Sequence, residues 1–166
     1  PKTGQVNPYA FAQAIERAQQ DGFEPLIITL SSKLSGTYQS ACMAASEASC
    51  PVRVVDSGHV TVSERILVEY ALGLAKEGLD AEEIAARVEA VRERVVVIGL
   101  LDTLEYLRRG GRISAAAGTF GEMLSIKPVI TIENGEVKML GRARGSKNGR
   151  NLLNQQIKAS RGIDFS

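Results

Sequence analysis

The chain has 166 residues, 44% of them hydrophobic and 23% charged, with a net charge of +1, the proportions of an ordinary globular protein. No apolar run approaches the ~20 residues that span a bilayer, and no basic start with an apolar core and cleavage site marks a secretory leader. Two cysteines, Cys42 and Cys50, form no paired or metal-knuckle motif; Cys42 reads as helix packing, and a reduced, cytoplasmic setting follows.

Asn7-Pro8 opens the first helix, with the asparagine as cap and the proline at the first helical position. Phe11, Ile15 and Ala18 recur on one face, Gly22 ends the helix, and Pro25 precedes a strand from Leu26 to Leu30. The sequence LIITLSSKLSGTYQS then breaks into hydroxyls and glycine before helical sequence resumes at Thr37 and runs to about Glu47. A strand feeding Ser31, Ser32, Ser35 and Gly36 into a helix start presents unpaired N–H groups at the positive end of a helix dipole, a layout that suits a carboxylate or phosphate. The same serines equally suit plain helix capping. A second strand covers Val52 to Val55 and runs into Asp56-Ser57-Gly58. Strand, helix and strand in alternation predict a parallel sheet with helical crossovers.

The stretch from Thr61 to Lys76 is helical, with Ile66, Leu67, Tyr70, Ala71 and Leu74 as its apolar positions and Gly78 as its stop. Asp80 followed by Glu83 reads as a capping box for a helix whose buried stripe is Ile84, Val88 and Val91. The continuous apolar run from Val95 to Leu100 predicts a central strand. A short helix over Asp102 to Arg109 is broken by Gly110-Gly111, and helix resumes from Ser114 to Leu124. Pro128 to Ile132 and Glu136 to Leu140 flank Asn134-Gly135, a two-residue hairpin signal. The change from crossovers to a hairpin places a boundary near Arg92 to Val95, giving units over 1–93 and 94–166.

Thr3, in PKTGQ, adds a hydroxyl in a loop at the start of the chain. Arg108-Arg109-Gly110-Gly111-Arg112 surrounds two glycines with guanidinium groups, suited to bidentate contact with phosphate or carboxylate, or simply to a solvated helix end. No acidic residue lies between Val137 and Ile163, where Lys138, Arg142, Arg144, Lys147, Arg150, Lys158 and Arg161 all stand. That segment suits an anionic surface or plain solvation. His59, the one histidine, permits a hydrolase triad with Asp56 and Ser35 on paper, but no G-x-S-x-G elbow surrounds the serine.

PKTGQ, SSKLSGTYQSA, VVDS and TLEYLRRGGRISAAAGTFGEMLSIKPVITIENGEV resemble, in this order and spacing, the DegV family of bacterial fatty-acid-binding proteins. The resemblance implies a two-lobed α/β protein: a parallel sheet with helical crossovers in the first lobe, and mixed α/β with an antiparallel hairpin in the second. One long-chain fatty acid would lie between the lobes and be presented to a separate ATP-dependent fatty acid kinase, which makes the acyl phosphate. The protein itself would be a carrier, not an enzyme, with no cofactor, no metal, no nucleic-acid partner and no stable membrane insertion. Carried over by position, Thr3, Ser35 and the Gly36 N–H would hold the carboxylate, and Arg112 and Arg144 would serve the head group or the docking of the kinase.

The chain departs from the family pattern in places. Thr61-Val62-Ser63-Glu64-Arg65 stands where a Ser-x-Gly-x-Gly pattern is common, so Ser63 and Arg65 are expected to narrow or polarise the pocket. Gly4 replaces a second hydroxyl after the threonine. The family's opening Thr-Asp-Ser strand and its closing segment are absent, which reads as a fragment whose first-lobe sheet exposes an edge. Two rival readings are a nucleic-acid-binding module using the basic segments and a phosphate- or nucleotide-binding enzyme. Against the first stands the lack of a stacking platform, and against the second the absence of GxxxxGK[ST] and GxGxxG.

Overall fold

The local signals at the helix starts are realised in the computed structural model, which describes residues 3–113 and 126–159. Asn7 Oδ1 accepts the Ala10 N–H at 2.9 Å and opens α1, Pro8–Gln20. Asp80 Oδ1 accepts the Glu83 N–H at 2.8 Å, while Glu83 Oε2 accepts the Asp80 N–H, the reciprocal pair that opens α4, Ala81–Val91. Between them lie β1, Leu26–Thr29; α2, Thr37–Ser46; β2, Arg53–Asp56; and α3, Val62–Lys76. β1 and β2 pair in parallel, Leu26 opposite Arg53 and Thr29 opposite Asp56, with α2 as the crossover.

The chain divides into two units, Pro1–Val95 and Val96–Ser166. In the first, α3 and α4 pack on the sheet through a cluster centred on Val55, Leu67 and Val88. The buried face of α3 is Ser63, Leu67, Ala71 and Leu74. Ile66 and Tyr70, the other apolar positions of the helix, stand 52% and 37% exposed on the neighbouring stripe. An apolar cleft of about 730 Å³ flanks β1, walled by Phe11 and Ile15 of α1 and by Val68 and Leu72 of α3. Cys42 is half-buried; the packed face of α2 is Thr37, Ser40, Ala41 and Ala44.

The second unit holds β3, Ile98–Leu100; α5, Glu105–Arg109; β4, Ile126–Glu133; β5, Glu136–Arg144; and α6, Gly145–Ala159. Its antiparallel sheet runs β3-β4-β5, so among the described residues the apolar run after Val95 supplies an edge strand, not the expected central one. β4 is central, with Val129 fully buried. Asn134 and Gly135, at φ +50° and +77°, make the hairpin turn. α6 lies close on the sheet: a Cβ on Gly149 would meet Leu100 Cδ1 at 2.8 Å, and one on Gly141 would meet Leu152 Cδ2 at 2.8 Å. The helix expected over Ser114 to Leu124 lies outside the described residues. No helix among the described residues is long and apolar enough to cross a membrane.

Candidate functional site

The hydroxyl-rich turn leaves the end of β1 and enters α2 exactly one residue after Gly36, which caps the helix without a side-chain bond. Ser35 does the work of a cap from one position earlier. Its Oγ accepts the Thr37 N–H at 3.2 Å and stands 2.9 Å from Thr37 Oγ1. Thr37 is buried, and its Oγ1 also accepts the Val6 N–H at 3.3 Å. Two assignments of protons satisfy all three contacts. Where Thr37 donates its hydroxyl hydrogen to Ser35 Oγ, both Ser35 lone pairs are filled and the Ser35 hydrogen is left to donate outward; where Ser35 donates to Thr37 Oγ1, the free hydrogen is that of Thr37. The Gly36 N–H takes no partner among the described residues. In the first assignment two donors stand together at the positive end of α2, so capping and anion binding are compatible at Ser35.

The Val6 bond draws the start of the chain onto this turn. Gln5 Nε2 lies 3.5 Å from Ser40 Oγ, and a Cβ on Gly36 would meet Gln5 Oε1 at 2.0 Å, so the Gln5 amide lies directly over the glycine. Thr3 is exposed two residues before Gln5, and its hydroxyl takes no partner among the described residues. Gly4 faces open space.

Behind the turn Ser31 and His59, singled out separately in the sequence, meet Thr29 and Ser57 in one buried polar cluster. Asp56 Oδ1 accepts the N–H groups of Ser32 at 3.1 Å and Gly58 at 2.9 Å, tying the loops after β1 and β2 together. The triad allowed on paper is not assembled. Asp56 is occupied with main-chain donors, Ser35 Oγ with Thr37, and the His59 ring with the Arg92 carbonyl. Ser63 is buried and donates to the Val60 carbonyl at 2.9 Å, while Arg65 is exposed and paired with Glu69 at 2.7 Å.

Arg112 and Arg144 belong to the second unit, on separate elements. Arg112 is exposed just after α5 and donates to the Gly110 carbonyl. Arg144 is exposed at the end of β5, with its carbonyl accepting from Asn148 Nδ2 at 3.0 Å. Within the GGR motif's neighbourhood Arg109 is paired with Glu105 at 2.5 Å.

A parallel α/β unit with a hydroxyl-lined helix start, joined to an antiparallel α/β unit, defines the class of protein. The model of the DegV family, described as uncharacterised, matches residues 1–162, and the chain belongs to that family. A DegV domain-containing protein of Caldanaerobacter subterraneus is 36% identical over all of this chain and 59% of its own length. The structure entitled fatty acid binding of a DegV family protein from Thermus thermophilus shares 37% identity at a TM-score of 0.86, over 96% of this chain and 57% of that one. The Streptococcus pneumoniae fatty acid kinase (Fak) B3 protein, solved loaded with linoleic acid, shares 26% identity at a TM-score of 0.81, over 95% and 57%. The chain thus spans a little over half the length of the relatives it matches.

Proposed function

We propose that this chain carries the carboxylate-holding part of a long-chain fatty acid carrier, with Ser35 and the Gly36 N–H as donors and Thr3 joining them. The observation that carries the reading is the bond pattern at the start of α2, where the Gly36 N–H takes no partner among the described residues and Ser35 Oγ has its hydroxyl hydrogen to donate when Thr37 is the donor between them. Relatives of the same fold described as binding fatty acids support it. Tail burial dominates affinity: at ~0.8 kcal/mol per methylene, a sixteen-carbon chain gains on the order of 10 kcal/mol. Head-group bonds, at roughly 1.5–3 kcal/mol each, orient the carboxylate.

The carrier would hand its cargo to a separate ATP-dependent kinase for acyl-phosphate formation, as the naming of the pneumococcal relative suggests, with Arg112 and Arg144 serving the head group or the docked kinase. It would act without cofactor, in the cytoplasm where ATP is. Native mass spectrometry, followed by extraction and identification of co-purifying lipid, tests the reading. A stoichiometric fatty acid is expected, and Ser35→Ala should weaken oleate binding roughly tenfold and disturb phosphorylation more. A chain that neither retains nor takes up palmitate or oleate would overturn it.

A further inference from the structure

His59 is 6% exposed, and its Nε2 lies 2.9 Å from the Arg92 carbonyl oxygen. A carbonyl only accepts, so Nε2 carries a proton, and in the neutral ring Nδ1 is then bare. Nδ1 is buried with no partner, so one bond holds the ring. The His59 carbonyl accepts the Ser31 N–H at 2.7 Å, and the Ser31 carbonyl accepts the N–H groups of Leu34 at 3.0 Å and Ser35 at 3.2 Å. A gapless path therefore runs from the Arg92 carbonyl through the His59 ring and main chain to Ser31 and Ser35. Asp56 reinforces it: its carboxylate holds Ser32, and its carbonyl accepts from Arg92 Nη1 at 2.8 Å. Arg92 thus grips both His59 and the end of β2, three residues before the first unit ends.

We infer that His59 is a positioning residue for the head-group site: latched to Arg92, it fixes where the Ser35 hydroxyl and the Gly36 N–H stand. The inference rests on the reading of Ser35 as a carboxylate donor. His59 acts through the main chain of Ser31 and touches no ligand. Because Nδ1 has no bond to lose, His59→Phe removes the Nε2 bond alone. The Arg92 carbonyl also keeps the Val95 N–H at 3.1 Å, so the variant leaves no orphaned acceptor there.

Two measurements on the 166-residue chain test the latch. Without ligand, nitrogen NMR of the wild-type ring should show the Nε2–H tautomer, and His59→Phe should speed amide exchange at Leu34 and Ser35 roughly tenfold while leaving Ile15 of α1 unchanged. With oleate, the variant should lose affinity about three- to tenfold. His59→Gln, which brings an amide N–H toward the place of Nε2, should restore most of it, and in a Ser35→Ala background His59→Phe should cost clearly less than it does beside Ser35, since only the Gly36 N–H is then left to misplace. An Nδ1–H tautomer, unchanged exchange at Ser35, or the full loss persisting beside Ser35→Ala would each overturn the inference. Failure of the wild-type chain to bind oleate would instead overturn the carrier reading, while the exchange measurement would still decide the latch.

Discussion

Thr61 enters α3 at φ +60°, ψ −126°, a conformation that a β-branched residue adopts only under constraint. Its carbonyl accepts the Arg65 N–H at 3.0 Å, so the helix start holds the residue in place. Thr61→Gly should relieve about 1 kcal/mol and raise the denaturant midpoint; a lowered midpoint would mean that the threonine side chain contributes more than its backbone costs. At the departures from the family pattern, Ser63 turns inward and donates to the Val60 carbonyl, and Arg65 turns outward to Glu69. Ser35 was legible because serine before glycine at a helix start is local chemistry. Thr37 was not, because its part depends on the Val6 N–H, 31 positions away.

At the level of elements, the legible features were those written in adjacent residues: Asn7-Pro8, the Asp80 to Glu83 box, and Asn134-Gly135. In α3 the apolar spacing admits two neighbouring stripes, and packing against α4 selects the one that holds Leu67, Ala71 and Leu74. Leu67→Ala should therefore cost about 2–5 kcal/mol, while Ile66→Ala, on the half-open stripe, should stay within about 0.5 kcal/mol in urea unfolding. Equal costs would mean that the helix sits rotated from its described setting. Among the described residues β3 stands at the edge and not at the centre, because a continuous apolar run reports burial of side chains and not the number of strands beside it. The loop after β3 is tied to β4 by Lys127 and Asp102 at 2.6 Å. The hydrogen bond from Lys127, then its charge, holds the Asp102 carboxyl below its usual range. Its contribution is present above the unfolded-state value and lost as pH falls through the depressed folded one. Asp102→Asn should thus lower the melting temperature slightly at neutral pH and not at all once pH is below both values; an equal shift at both pH values would exclude the ionised pair as the cause.

The whole molecule was legible in class and incompletely in its site. The order of strands and helices announced a parallel unit followed by a hairpin-bearing one, and the chain divides at Val95–Val96. The buried cluster of Ser31, Ser57 and His59 left no sequence pattern, because its members meet only when the ends of β1 and β2 are brought side by side.

The net charge of +1 hides an uneven partition between the units. The first carries thirteen acidic and nine basic residues, for −4, and the second six acidic and eleven basic, for +5. Near neutrality the intact chain should migrate weakly in an electric field, while a single cut at a protease site engineered between Val95 and Val96 should release two pieces that travel toward opposite electrodes. Comigration of the pieces would show that they stay associated after the cut, a cohesion that salt should then weaken.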